Sequence, residues 1–155
     1  MQAVSRWVRH CGAALCLALV AAAHGQVQAL SVEQGWVRAL PPGKTVTAGF
    51  AEIVNRSTQA CSIEALASPQ AERVELHSTA MEGGVMRMRP APLPTLAANS
   101  ALSLAPGGLH WMFIGVDRHA AHAGALTVTI TSSCGELSAA LPLLRMAPDS
   151  DHSHH

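Results

Sequence analysis

The chain has 155 residues with ten Lys and Arg, ten Asp and Glu, and nine His, for a formal net charge of zero. Removing an N-terminal signal that carries Arg6 and Arg9 leaves eight basic residues against ten acidic ones. That balance excludes a basic field for nucleic acid or anionic lipid, and the remaining length is one domain's worth of chain.

The first segment sets the expected compartment. Arg6 and Arg9 form a basic start, and Cys11 to Ala23 is a nearly unbroken apolar run too short to cross a membrane comfortably. Val27-Gln28-Ala29 places small residues for signal-peptidase cleavage before Leu30, with an earlier cut after Ala23 as the alternative. The expected division is a signal peptide over 1–29, a β-sandwich domain over 30–146 and a His-rich flexible tail over 147–155. The signal implies export to an oxidising compartment, and no later segment is expected to insert in a membrane.

The domain reads as short strands separated by turn residues. Val32 to Leu40 alternates loosely around Trp36 and stops at Pro41-Pro42-Gly43. Val46 to Val54 carries Val46, Ala48, Phe50 and Glu52 on one side and Thr47, Gly49, Ala51 and Ile53 on the other. Asn55 to Thr58 makes a turn, and Cys61 to Leu66 and Arg73 to Ser78 are further strands on either side of Ser68-Pro69. Met81 to Met86 reads as a hairpin, because Gly83-Gly84 supplies the positive φ that a two-residue turn requires.

Pro90, Pro92 and Pro94 are expected to keep the next segment irregular or at an edge. Ala101 to Leu104 and Leu109 to Val116 are strands separated by Pro106-Gly107-Gly108, and His119 to Gly124 is a connection. Leu126 to Thr131 alternates apolar residues with threonines, and Ser132 to Gly135 turns the chain into a last strand, Glu136 to Leu144. Close spacing of short strands with no helical period predicts an all-β sandwich or Greek-key barrel. With Trp36, Trp111, Phe50 and Phe113 its only large aromatics, the core must be mostly aliphatic.

Cys11 and Cys16 leave with the signal, so Cys61 and Cys134 are expected to pair as a disulfide in an oxidising compartment. A reactive or metal-binding thiol pair is the alternative, although no CxxC spacing supports it.

Chemistry concentrates between His77 and Met112, which hold four of the six methionines, two histidines and no cysteine. Thioether and imidazole together suit a soft monovalent metal, copper(I) above all. On strands, His110 and Met112 share one face with Trp111 and Phe113 opposite, while Met86 and Met88 share another with Arg87 and Arg89 opposite. His77, just ahead of the hairpin, can add a second nitrogen. Nothing in the stretch pairs a nucleophile with a base or positions carboxylates, so it is not read as an enzyme site. The absence of cysteine from the stretch also leaves out a blue-copper electron-transfer centre.

His77, Met88, His110 and Met112 follow the pattern H-x10-M-x21-H-x-M, within Glu-Leu-His and Gly-Gly-Leu-His-Trp-Met. Together with Gly84 to Arg89 and the Trp-Val-Arg-Ala opening before Pro-Pro-Gly, this resembles the PCu(A)C family of periplasmic copper(I) chaperones. The resemblance runs from about Val32 to Leu143. It implies a cupredoxin-like Greek-key β-sandwich and a copper(I) site at His77, Met88, His110 and Met112 near the surface. It also implies delivery toward the CuA centre of cytochrome c oxidase, with subunit II or a Sco-type protein as acceptor.

Met81 and Met86 lie outside the motif and are expected to line the site as apolar residues. The tail histidines His152, His154 and His155, with Asp149 and Asp151, are harder donors suited to copper(II). Other readings are a copper buffer with the same site and no dedicated acceptor, and a β-sandwich assembly module without metal.

Overall fold

A computed structural model describes residues 28–148. The expected signal segment up to Val27 and the tail histidines His152, His154 and His155 lie outside the described residues.

Ten strands follow one another: β1 Leu30–Arg38, β2 Val46–Asn55, β3 Cys61–Ala67, β4 Ala71–Glu82, β5 Val85–Pro90, β6 Thr95–Leu96, β7 Ser100–Leu104, β8 Leu109–Val116, β9 Ala125–Ser132 and β10 Gly135–Leu144. They form one hydrogen-bonded path, β5-β4-β8-β2-β1-β10-β9-β3-β6, with β7 paired to the second half of β2. The path is antiparallel except where β1 meets β10, at Val37–Leu143 and Arg38–Leu144. Such a sheet must fold back on itself to bury its apolar face. β1, β2, β4, β5, β7 and β8 form one layer, and β3, β9 and β10 lie in the other with β6 at its edge.

Alternation decides what goes between the layers. Val37, Ile53, Trp111 and Phe113 from the first layer meet Leu126, Val128, Ile130 and Leu141 from the second, all almost fully buried. Close packing explains Gly49, opposite Trp111 on β8, because a Cβ there would come 2.8 Å from the Phe113 ring. Cys61 on β3 and Cys134 in the β9–β10 turn form the expected disulfide across 73 residues, with 5.5 Å between their Cα atoms.

Asn55, at the end of β2, is fully buried and fully used. Its amide nitrogen donates to the carbonyls of Gln59, Leu96 and Ala97, and its Oδ1 accepts from the Ser57 backbone and hydroxyl. These bonds tie the turn after β2 to the short β6.

Three local features depart from the sequence expectation. The proline-rich segment contains β6, which pairs with Cys61 and Ser62 once Pro94 has been passed. The 119–124 connection contains a 3-10 turn at Ala120–His122, whose start is held by Asp117 Oδ1 accepting from the His119 and Ala120 N–H groups. β1 carries a bulge between Glu33 and Trp36, with Gln34 at φ 51°.

Candidate metal centre

Register places the four residues of the motif on one side of the first layer. His77 on β4 lies directly opposite His110 on β8, and Glu75 lies opposite Met112 one step along the same ladder. Met88 on β5 lies opposite Thr79, two residues beyond His77 and on the same face. Ala48 on β2 completes the row next to Met112. The reverse face of these strands carries Val74, Leu76, Trp111 and Phe113, which anchor the row to the core. The two imidazole rings stand 6.0 Å apart between centroids, and Phe50 packs 6.2 Å from the His110 ring.

Each imidazole has one nitrogen held and one left over. His77 Nε2–H donates to Glu75 Oε2 at 2.8 Å, and His110 Nδ1–H donates to the Gly108 carbonyl at 3.1 Å. These bonds select the tautomers in which His77 Nδ1 and His110 Nε2 carry the lone pair. Both of those nitrogens are buried and have no hydrogen-bond partner. An orphaned buried nitrogen is costly unless something else occupies it, and a metal ion would. His110 is only 2 % exposed, so its orientation is set by packing as well.

The Glu75 carboxyl is held below its ordinary value first by the His77 hydrogen bond and then by Arg73, which donates Nε–H to Oε1 at 2.8 Å. The carboxylate therefore stays charged and continues to accept from His77. Glu75 and the Gly108 carbonyl are the site residues that the sequence reading missed. The signal for Glu75 was its position two residues before His77 on the same strand face.

A cleft of about 390 Å³ opens over the row, lined among others by Met86, Met88, His110, Phe50 and Thr79. Met88 is half exposed at its rim. Arg38 stands over the Phe50 ring on the side toward β1, 5.9 Å from its centroid. A larger groove of about 710 Å³ lies beyond Phe50 and Pro106 and is lined by none of the four motif residues. Of the two methionines expected as apolar lining, Met86 lines this cleft while 60 % exposed, and Met81, 67 % exposed, is not part of its lining. Among the described residues, no three His, Cys, Asp or Glu side chains gather into a group that could hold a metal ion.

A β-sandwich with this strand order, bearing a histidine pair and methionines on one outer face, has the fold of PCuAC domains. The copper-bound PCuAC domain from PmoF2 superposes with a TM-score of 0.61 at 20% identity, over 77% of this chain and 94% of that one. The copper(I) form of DR1885 from Deinococcus radiodurans superposes with a TM-score of 0.57 at 29% identity, over 81% of this chain and 86% of that one. The chain belongs to the family described as "Putative lipoprotein LpqE-like", whose profile matches residues 30–142. A relative in Leifsonia xyli subsp. xyli, "Putative lipoprotein Lxx21020", is 30% identical over 114 residues, which are 73% of this chain and 68% of that protein.

Proposed function

We propose that this chain is an exported copper(I) chaperone that holds one ion between His77, Met88, His110 and Met112 and passes it to an acceptor protein. The observation that carries the reading is the pair of orphaned imidazole nitrogens, His77 Nδ1 and His110 Nε2, on one ladder rung beside two thioethers. Two neutral nitrogens and two soft sulfurs match copper(I), while zinc would draw on three or more Cys, His or carboxylate ligands, a group not found among the described residues. The carboxylate beside the histidines, Glu75, is taken up by His77 and Arg73. The solved DR1885 protein carries copper(I) on the same fold, which supports the choice of metal. The lipoprotein description of the family supports export, and the periplasm is the compartment proposed.

Delivery toward the CuA centre of cytochrome c oxidase, through subunit II or a Sco-type protein, is the proposed destination. Neutral ligands at an open rim suit a protein that must also release its metal. The tail histidines His152, His154 and His155 are proposed to collect copper(II), a role that truncation after Ala147 would remove while leaving copper(I) binding intact.

The test is a titration of the protein with copper(I) against a competing chelator, repeated on Met88→Ala and His110→Ala. One tight equivalent is expected, weakened more by these two changes than by Met81→Ala or Met86→Ala. Sulfur neighbours should appear in X-ray absorption of the loaded protein. Only nitrogen and oxygen around the ion would overturn the ligand set.

A further inference from the structure

The β4–β5 hairpin is two-faced in a way that packing does not explain. One face carries Glu82, Arg87 and Arg89, with Glu82 paired to Arg87 at 3.3 Å and to Arg89 at 3.0 Å. The other carries Met81 directly opposite Met86, then Met88 opposite Thr79 on the next rung of that face. Methionine usually fills gaps in a core, yet Met81 and Met86 lie over none. Two large apolar side chains held side by side in water need some other reason to be there.

Directly opposed residues on antiparallel strands have Cβ atoms about 5 Å apart. Three rotatable bonds on each methionine let two sulfurs at that spacing turn toward a common point. Glu82, Arg87 and Arg89 occupy the reverse face of the hairpin, paired with one another, and Arg38 is the cation that lines the cleft shared by Met86 and Met88. The rung also sits two residues from the rung of Met88, about 7 Å along the strand. Met86 and Met88 line the same cleft as His110, so the path from tip to histidine pair is open and edged with sulfur.

We propose that the Met81–Met86 rung is a second metal site, a pair of thioethers that binds copper(I), or silver(I) as its redox-inert substitute, and loads the centre below. The tip site stands on its own two residues; its role in loading rests on the copper(I) centre proposed above. It binds more weakly than that centre because it has two sulfurs and no imidazole. No change of oxidation state is involved, since the ion moves from one set of neutral ligands to the next.

The test uses the full protein labelled with 13C at the methionine methyls and titrated with silver(I). The first equivalent should shift the Met88 and Met112 methyls. Beyond it, the Met81 and Met86 methyls should shift together, while Met146, more exposed at 78 %, should stay in place. Met81 and Met86 remaining unmoved in excess silver(I), or moving only in step with Met146, would overturn the tip site. Silence at Met88 and Met112 would count against the main centre and leave the tip to be judged on its own signals.

The double variant Met81→Leu, Met86→Leu keeps the apolar face and removes both sulfurs. It should bind one silver(I) fewer per chain and load its remaining site more slowly at low metal. A face that serves only to dock a protein would bind no second ion before or after the change, and an unaltered count therefore rejects the proposal.

Discussion

Glu75 controls the histidine pair without being part of it. Its carboxylate accepts from His77 Nε2–H and so leaves Nδ1 as the free lone pair. Partners of this kind typically change metal affinity by about 10- to 100-fold when removed. Glu75→Ala should weaken copper(I) binding by about tenfold, whereas Glu75→Gln should retain most of it because the amide oxygen still accepts. Competition titration of the two variants checks this, and equal losses would mean the charge matters more than the orientation. His110 has no such handle for mutation, since its Nδ1–H donates to a backbone carbonyl, that of Gly108. The sequence offered Glu75 as a same-face neighbour of His77, but not whether its carboxylate turns toward the ring or toward water. That choice depends on Arg73, which holds the other carboxylate oxygen.

Strand identity was legible at the level of elements, and strand adjacency was not. Leu126 to Thr131 alternates apolar residues with threonines, Val46 to Val54 and Leu109 to Val116 are runs bounded by turn residues, and each lies within an observed strand. Gly83 and Gly84, at φ 58° and 81°, turn the hairpin where expected. Alternation also put His110 with Met112, and Met86 with Met88, on common faces before any pairing was known. What no local pattern could supply was β8 lying between β4 and β2, the long-range pairing that sets His77 opposite His110. The two-residue β6 escaped notice because three prolines precede it and its pairing depends on Cys61 and Ser62 far back in the chain. Asn55 read as an ordinary turn residue, yet its side chain ties that turn to β6. Asn55→Ala would leave buried carbonyls without a donor and should cost about 2 kcal/mol or more, as chemical denaturation would measure. A cost near zero would mean water replaces the amide.

One stabilising device that acts on the molecule as a whole lies in the layer away from the metal face. The Cys61–Cys134 bridge joins β3 to the β9–β10 turn in the second layer. Closing a loop of 73 residues contributes about 4 kcal/mol in the chain-entropy account. Replacing both cysteines with serine should therefore lower the melting temperature by about 15 °C while copper(I) affinity is unchanged. Calorimetry and titration on the same preparation check the two halves together.

Acid acts through Glu33, Glu75 and Asp117. Arg56 and then Ser31 hold Glu33 low by hydrogen bonds, His77 and then Arg73 hold Glu75 low, and the His119 and Ala120 N–H groups hold Asp117 low. Carboxyls depressed by folding contribute their full stability above the unfolded values near about pH 4, and lose it as pH falls through the folded values. The contribution of these three carboxyls should thus be constant above about pH 5 and decline below about pH 4, with Arg56→Gln making that decline shallower. An unchanged acid limb in that variant would remove Glu33 from the account.

The shared rung of His77 and His110 also bears on how fast copper(I) would leave the proposed centre. Both donors belong to one hydrogen-bonded ladder whose reverse face is locked into the core, so their separation is fixed by strand spacing. No hinge or lid has to open first. At the proposed copper(I) centre an incoming acceptor would instead displace the ligands one at a time, beginning with the half-exposed Met88. Exchange of this associative kind has a rate that rises in proportion to acceptor concentration and does not level off at an opening step. Stopped-flow transfer to a soft thiolate acceptor should give that straight line, and Met88→Ala should steepen it.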